Sequence, residues 1–208
     1  VIQNYVKITK VWNSDKQENV ETETRRPVNV DLWEYNNYST AVGTIGRLAH
    51  IKAYDKSRDL ALLQISDMER EMPYVAMLYP EDLDDGPWIF QTVYAVGAGL
   101  GKPPFPTMGL LAGYGRDQDG NALYLSTSPI IYGNSGGSLY VYSPRNHYEL
   151  IGVPSMVSAY GWGSVVSHMA WSRPISEIRL FLRDSGYGVK ILGDEPEPEP
   201  EEEIEDAR

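Results

Sequence analysis

The stretch Gly133-Asn134-Ser135-Gly136-Gly137-Ser138-Leu139 is the most informative part of the sequence, because glycines surround a single serine. Glycine permits backbone dihedral angles that turn peptide N–H groups inward. In such a turn the N–H groups of Gly133 and Ser135 can converge on a developing oxyanion, while the Ser135 hydroxyl group faces the same point. Taken alone, the stretch favours the simpler interpretation of a glycine-rich turn between two strands.

Several segments around this stretch resemble, in the right order, those of trypsin/chymotrypsin-like serine proteases. The resemblance is strongest to the HtrA/Deg-type branch, in which Gly-Asn-Ser-Gly-Gly is usual, and it covers roughly residues 41–185. The other matching segments are Asp59-Leu60-Ala61-Leu62-Leu63-Gln64-Ile65, Val93-Tyr94-Ala95-Val96-Gly97, Gly99-Leu100-Gly101, Thr107-Met108-Gly109, Leu150-Ile151-Gly152-Val153 and Pro174-Ile175-Ser176-Glu177-Ile178. The resemblance implies an all-β fold, a chymotrypsin-like double six-stranded β-barrel with a C-terminal helix.

The same resemblance assigns roles to individual residues. Ser135 is implied as the nucleophile that forms the acyl-enzyme, and Asp59 as the carboxylate that orients a histidine base. The backbone N–H groups of Gly133 and Ser135 are implied as the oxyanion hole. The implied activity is that of a serine endopeptidase acting on a polypeptide substrate, without a cofactor and without a metal.

The histidine base is the difficulty in this interpretation. A serine hydroxyl needs a base within hydrogen-bond reach, and the family order requires a histidine before the aspartate, which leaves only His50. If residues 46–54 and 59–65 form a hairpin, His50 pairs near Leu63. That pairing puts His50 ~13 Å from Asp59 along the strand, at ~3.4 Å per residue. We therefore interpret His50 as a strand residue and His147, in the polar loop 144–148, as a surface residue.

The family's histidine is usually followed by a valine-like pair, and this chain opens with Val1-Ile2. We therefore expect the triad histidine immediately before the given sequence, with the polar stretch 13–37 as an insertion that lengthens the spacing to Asp59. The first strands of the N-terminal barrel would then also be missing, and exposed strand edges would need an N-terminal segment or another chain to cover them. The competing interpretation is a pseudoprotease, a binding or structural module that has lost its histidine.

Three stretches are expected to line the pocket for the residue before the scissile bond. They are Thr127-Ser128-Pro129, Ser155-Met156-Val157 and Ser167-His168-Met169. None of them contains an acid, so the pocket lacks the counter-charge for Lys or Arg and suits a medium, mostly apolar side chain. His168 could also donate a hydrogen bond to a Gln or Glu side chain. The simpler interpretation makes His168 an ordinary strand residue.

Charge divides the chain into two parts. Of its 208 residues, 194–208 contain nine acids and one arginine, whereas 1–193 contain 20 acids and 17 bases. We expect 1–193 to be the protease-like domain and 194–208, rich in Glu and Pro, to be a disordered acidic tail. The nearly balanced body does not suggest a nucleic-acid partner, and no apolar run reaches the ~18 residues of a membrane span. Cysteine is absent, and the sequence does not indicate the cellular compartment.

Local patterns predict mostly strands. The polar residues 13–26 indicate a long loop or a protruding hairpin, and 88–97 indicate a strand. Near the end, Ile175, Ile178 and Phe181 share one face of a helix that Gly186 can end.

Asp117 and Asp119 could suggest half a calcium loop, but no closing glutamate follows, and we interpret them as part of a turn.

Overall fold

The computed structural model describes residues 2–37, 40–66, 72, 75–81, 87–161 and 163–195. Strands dominate these residues, and one α-helix lies near the C-terminal end. The strands are β1 (Val6–Asn13), β2 (Glu18–Arg25), β3 (Val28–Asn36), β4 (Thr40–Asp55), β5 (Leu60–Ile65), β6 (Met77–Leu78), β7 (Thr92–Gly97), β8 (Phe105–Arg116), β9 (Ala122–Ser126), β10 (Ser138–Tyr142), β11 (Tyr148–Tyr160) and β12 (Ser164–Pro174), and the helix is α1 (Ile175–Asp184).

The C-terminal half forms a closed six-stranded barrel. Its strands follow the order β10-β7-β8-β9-β12-β11, and the pairing of β10 with β11 closes the ring. Alternate residues point inward along each strand, which places the fully buried Val93, Leu111, Leu139 and Ile151 in the core. The short strand β6 adds to β11 outside the ring, in parallel. The predicted all-β fold with a C-terminal helix is confirmed.

The N-terminal half forms only part of a barrel, as expected. Strands β3, β4 and β5 make a three-stranded antiparallel sheet, and β1 and β2 make a separate hairpin. The polar stretch predicted as a loop or protruding hairpin is thus the β1–β2 hairpin, closed by a turn at 14–17. Within the described residues, β3 and β5 each have one unpaired edge in their sheet.

Strands β4 and β5 form the hairpin that the sequence predicts, with one correction to the register. His50 pairs with Gln64 rather than with Leu63. The cause is an irregularity between Ile51 and Ala53, which leaves Lys52 as an extra residue and shifts the pairing by one position. His50 is a strand residue, one position further from Asp59 than the simple hairpin predicted.

Helix α1 connects the two halves. Its buried residues Phe181 and Leu182 pack with Ala53 of β4 and Leu60 of β5. The helix begins after Pro174, whose fixed dihedral suits an N-terminal position, and Gly186 follows its end with a φ of 77°. Burial of these apolar side chains holds the three-stranded sheet beside the closed barrel, and so fixes where the β4–β5 turn lies.

Candidate active site

The Gly133–Gly137 loop is seated between two barrel strands by close backbone contacts. The amide of Gly136 donates a hydrogen bond to the Pro154 carbonyl oxygen of β11, at 2.8 Å. On the other side, a Cβ atom at Gly137 would lie 2.3 Å from the Val96 carbonyl oxygen of β7. Gly133 has a φ of 99°, in the left-handed region that favours glycine. The glycines of the motif therefore let this loop dock against β7 and β11.

The buried side chain of Asn134 stabilises the Gly133–Gly137 loop. Its side chain is buried, and its Oδ1 atom accepts a hydrogen bond from the Ile131 amide at 3.0 Å. Gly97 and Gly99 make room for it, because Cβ atoms there would lie 2.8 Å and 3.0 Å from the Asn134 side-chain amide. Segments 93–97 and 99–101 therefore belong to the same local structure as the serine loop.

Ser135 and Asp59, 76 positions apart in the sequence, meet through Ser155. The Ser135 hydroxyl donates a hydrogen bond to the Ser155 backbone carbonyl oxygen at 3.1 Å. The Ser155 hydroxyl in turn donates to Asp59 Oδ2 at 2.6 Å. Both Ser135 and Asp59 are exposed to solvent. The structure thus brings the two sequence-predicted catalytic residues to one surface, with Ser155 between them.

The amides of Gly133 and Ser135 are available to a ligand. Within the part of the chain that the structure describes, neither amide donates a hydrogen bond to another protein atom. Both residues are exposed to solvent. Two unpaired amides on either side of a glycine-rich turn can stabilise negative charge on a carbonyl oxygen.

Asp59 is held in place by the turn that precedes it. The Oδ1 atom of Asp55 accepts hydrogen bonds from the amides of Ser57 and Arg58 at 2.8 Å and 3.0 Å. Burial raises the pKa of Asp55, but these hydrogen bonds and that of the Ser57 hydroxyl outweigh it, and the pKa lies below its ordinary value. Asp59 itself has a φ of 53°, which few residues other than glycine, asparagine and aspartate adopt readily.

Arg58 fixes this turn to helix α1. Its guanidinium group lies 2.7 Å from Asp184 and 3.4 Å from Glu177, both on α1. The other carboxylate oxygen of Glu177 accepts the Ala122 amide of β9 at 2.8 Å, and Asn121 donates to the Ser57 carbonyl oxygen at 3.0 Å. The Asp59 turn is therefore tied to the C-terminal barrel at several points.

A cavity of about 240 Å³ opens beside Ser135. It is lined by Ile130, Ile131, Tyr132, Ser135, Ser155, Met156, Val157 and Ala159. The lining has no carboxylate and no cationic group, so an apolar side chain fits its chemistry best.

Only one of the three predicted pocket stretches lines this cavity. Ser155, Met156 and Val157 do so, whereas Ser128, Pro129, Ser167 and His168 lie outside the lining. Ser128 is fully buried, and its hydroxyl donates to the Val93 carbonyl oxygen at 3.2 Å. The pairing register between β11 and β12 shifts after Val157, so residues 167–169 have no pairing partner in β11. The side chain of His168 is exposed.

None of the three histidines reaches the Ser135–Asp59 surface by a hydrogen bond within the described residues. His50 lies in β4, and His168 is exposed on β12. His147, which the sequence predicted at the surface, has a side chain that is 32% exposed. His147 Nε2 lies 2.8 Å from the carboxylate of the fully buried Glu149.

Other features of the described residues bear on ligands. Asp117 contacts Arg173 at 2.6 Å and Asn121, so its carboxylate serves the β8–β9 turn. No group of three or more His, Asp or Glu side chains in the described ranges could hold a metal ion. No described helix is long and apolar enough to cross a membrane.

Sequence reasoning missed several residues that build this surface. Arg58 and Glu177 position the Asp59 turn, and Ile130, Tyr132 and Ala159 line the cavity. A local signal for Ile130 and Tyr132 was present, because the apolar and aromatic residues 130–132 immediately precede the Gly133–Gly137 loop. The ion pair between Arg58 and Glu177 joins residues that are far apart in the sequence, and no local pattern predicts it.

A closed C-terminal barrel, a partial N-terminal barrel and a closing helix define a trypsin-like fold. The chain is similar over 88% of its length to a structure of the HtrA-type protease AlgW with a decapeptide, with a TM-score of 0.57 and 18% sequence identity. It is similar over 88% of its length to an AlgW variant with a tripeptide (TM-score 0.54, 19% identity). It is also similar over 70% of its length to a serine endoprotease from Yersinia pestis (TM-score 0.52, 18% identity).

The fold of this chain is thus that of the HtrA-related trypsin-like proteins. The similar part spans 63% and 60% of the two AlgW chains and 46% of the Yersinia pestis chain. No family model matches the chain, and no curated protein matches it.

Proposed function

We propose that this protein is a serine endopeptidase in which Ser135 attacks the peptide carbonyl and Asp59 orients a histidine base. The observation that carries the proposal is the chain of contacts from Ser135 through Ser155 to Asp59. A glycine-rich turn without a catalytic role would not need to face a carboxylate on the other half of the molecule. The amides of Gly133 and Ser135 are the donors for the oxyanion.

The base of this proposed triad is a histidine outside residues 1–208. In the reaction it takes the Ser135 proton, the hydroxyl oxygen adds to the carbonyl carbon, and the proton passes to the leaving amine. Water then hydrolyses the acyl ester by the same route. Asp59 already has a hydrogen bond from Ser155, which leaves its second carboxylate oxygen available to an imidazole N–H group.

A segment that brings this histidine also has a place to pair. Strand β4 exposes Val42, Ile45 and Leu48, and the described part of its sheet ends at unpaired edges on β3 and β5. Exposed sheet edges with apolar neighbours favour the addition of a further strand. The partner proposed for this sheet is an N-terminal segment, or another chain, that completes the first barrel.

The cavity beside Ser135 supports a preference for a medium apolar side chain before the scissile bond. Met156 and Val157 supply apolar contact, and no lining residue offers a counter-charge for Lys or Arg. Profiling an active form on a peptide library checks this specificity. Efficient cleavage after Lys or Arg would contradict the pocket assignment.

A fluorophosphonate probe tests the nucleophile. We expect it to label Ser135 in a longer form of the protein that carries the upstream residues, and Ser135→Ala to abolish labelling. Ser138→Ala, a serine of the same motif, is the matched control and should label like the parent. Residues 1–208 alone should not label, because loss of the base costs on the order of 10⁶ in rate.

The second candidate is a pseudoprotease that binds polypeptides without cleaving them. The observation in its favour is the absence, among the described residues, of a histidine bonded to Asp59 or Ser135. A longer form that fails to label, yet binds peptides in the Ser135 cavity, would establish this alternative. Met156→Glu should then weaken peptide binding.

A further inference from the structure

Tyr35 joins the N-terminal half of the fold to the connection between β7 and β8, residues 98–104, which we call the β7–β8 loop. The side chain of Tyr35, near the end of β3, donates its hydroxyl to the Pro104 carbonyl oxygen. The two residues are 69 positions apart and lie in different halves of the fold. The end of the β3–β4 hairpin therefore contacts the loop that lies beside the Ser135 loop.

A β-bulge beside Tyr35 determines where its side chain lies. Glu34 pairs with Gly43 of β4, whereas Tyr35 pairs with Ala41, so Val42 is an extra residue in β4. A bulge of this kind bends the strand and changes the direction of the neighbouring side chains. The contact of Tyr35 with the other half of the fold thus depends on a specific irregularity of the hairpin.

Hydrogen bonds within the β7–β8 loop make it a compact turn. The amide of Gly101 donates to the Ala98 carbonyl oxygen at 3.0 Å. The amide of Lys102 donates to the Gly99 carbonyl oxygen at 3.1 Å. Residues 103–104 are both proline, and each proline ring fixes its own φ angle. A hydrogen bond at the last residue of this loop therefore constrains the turn that precedes it.

The β7–β8 loop holds the peptide group that carries one proposed oxyanion donor. The Leu100 amide donates to the Tyr132 carbonyl oxygen at 2.7 Å. This carbonyl and the Gly133 N–H group belong to one planar trans peptide, in which the C=O and N–H bonds point in opposite directions. The contact is close, since a Cβ atom at Gly133 would lie 2.5 Å from the Ala98 carbonyl oxygen. The Leu100 hydrogen bond therefore sets the direction of the Gly133 N–H group.

Leu100 makes this hydrogen bond from a strained backbone conformation. Its φ is 53°, in the left-handed region that is unfavourable for leucine. Its side chain is 66% exposed, so side-chain packing contributes little to holding this conformation. Strained conformations persist only where the surrounding structure holds them. The direction of the Leu100 amide therefore depends on the contacts of the rest of the loop, and the Tyr35 hydrogen bond is one of them.

We propose that Tyr35 is a positioning residue for the oxyanion hole. Its hydroxyl holds the β7–β8 loop, and this loop in turn aims the Gly133 N–H group at the carbonyl oxygen of the substrate. The inference rests on the proposed endopeptidase function. It gives the N-terminal half a second role besides that of Asp59, because a preorganised donor stabilises the oxyanion only when its direction is fixed.

Hydrogen exchange on the 208-residue chain, followed by NMR, tests the positioning. Tyr35→Phe removes the hydroxyl and keeps the ring, and we expect the Leu100 and Lys102 amides to exchange about 5-fold faster, because exchange reports local opening. Tyr114→Phe is the matched control, since the Tyr114 hydroxyl also donates to a proline carbonyl oxygen, that of Pro87, at 2.7 Å. Unchanged exchange of these two amides in Tyr35→Phe would overturn the inference, whatever the activity of the protein.

Kinetics on the longer form that carries the upstream residues tests the catalytic consequence. We expect Tyr35→Phe to lower kcat on a peptide substrate about 10-fold, less than the 10²–10³ that loss of a whole oxyanion donor costs. KM should stay within about 2-fold of the parent, because the oxyanion forms only in the transition state. The pH profile should match the parent, since the variant leaves Asp59 and the base unchanged.

Two kinetic results would contradict the role of Tyr35. One is an increase in KM with kcat unchanged, which would move its effect to substrate binding. The other is an equal loss of kcat in Tyr114→Phe, which would show a general effect of losing a hydroxyl contact. An inactive parent contradicts the proposed function instead. In that case faster exchange in Tyr35→Phe would make Tyr35 a residue that holds a loop without a catalytic consequence.

Discussion

Gly137 illustrates how single residues determine the shape of the candidate site. A Cβ atom there would lie 2.3 Å from the Val96 carbonyl oxygen, a separation that real Cβ atoms do not tolerate. The contact is to backbone, so no side-chain rotation relieves it. Asn134 adds a buried hydrogen bond on the other side of the same loop. The conformation around Ser135 therefore depends on a glycine without a side chain and on a buried asparagine.

Gly137→Ala should destabilise the protein by about 2 kcal/mol or more, since overpacking a close contact costs 1–3 kcal/mol. The matched control is Gly43→Ala, because a Cβ atom at Gly43 meets nothing within 4 Å. The control should leave the free energy of unfolding within about 0.5 kcal/mol of the parent. Urea denaturation measures both, and equal stability of Gly137→Ala and the parent would contradict the close approach of this loop to β7.

Asp117 and Arg173 form an ion pair on which the stability at neutral pH depends. Arg173 is nearly buried, with a side chain only 4% exposed. Burial raises the pKa of Asp117, but hydrogen bonds from Asn121 and Arg173 outweigh it and hold the pKa below its ordinary value of 3.8. The folded state thus binds the Asp117 proton more weakly than the unfolded state. The contribution is complete above pH ~4 and is lost as the pH falls through the folded pKa.

Asp117→Asn should therefore lower stability at pH 7 by about 3 kcal/mol, because it leaves the buried Arg173 without its partner. As the pH falls, the stability of the variant should also decrease less than the stability of the parent. Asp119→Asn, an exposed neighbour in the same turn, should behave like the parent. Melting temperatures from pH 2 to pH 7 check the prediction, and a variant as stable as the parent at pH 7 would contradict it.

At the scale of elements, the β4–β5 turn and helix α1 act together. Arg58 joins the turn to Glu177 and Asp184, and Phe181 packs under the same hairpin. The sequence predicted the hairpin and the helix separately, because each has a local pattern of apolar residues. It could not predict their contact, which depends on a cation and carboxylates more than 100 positions apart.

Arg58→Met should reduce stability by about 2 kcal/mol, since hydrogen bonds to charged groups contribute 1.5–3 kcal/mol. It should also loosen the Asp59 turn. Lys56→Met, in the same turn but exposed, is the control and should have little effect. Hydrogen exchange at residues 55–60 reads the loosening directly. Parent-like protection in Arg58→Met would show that the turn is held by other contacts.

The serine loop and the Asp59 segment were identified through the ordered set of segments that resembles the HtrA/Deg-type proteases, because the glycine-rich stretch alone favours a simple turn. The pocket was only partly predictable. Ser155, Met156 and Val157 directly follow a recognisable strand, whereas Ser167 and His168 depend on a register slip that local sequence does not determine. The sequence assigned Ser155 to the pocket wall. Its hydrogen bond to Asp59 depends on the packing of β11 against the β4–β5 turn.

At the scale of the whole molecule, Asp194, the first residue of the predicted acidic tail, contacts helix α1. Its carboxylate contacts Arg183 of α1 at 2.9 Å, and the same arginine contacts Glu81. The hydrogen bond from Arg183 holds the pKa of Asp194 below its ordinary value. The contacts of the described residues with α1 therefore extend along the chain to Asp194.

Truncation after Glu195 should leave the melting temperature almost unchanged, because it keeps the contact of Asp194 with Arg183. Truncation after Gly193 should lower it slightly, since that contact is lost. Both truncations remove like charges and should reduce solubility. Calorimetry of the two forms makes the comparison, and a large loss of stability after Glu195 would show that residues 196–208 dock on the body.

The proposed role of Ser135 is that of a catalytic nucleophile that faces Asp59 across the two halves of the fold. Mass spectrometry of a fluorophosphonate adduct tests it most directly, on the longer form that carries the upstream residues. We expect one adduct, located at Ser135, that is lost in both Ser135→Ala and Asp59→Ala. No adduct in the longer form, or an adduct at another serine, would contradict it.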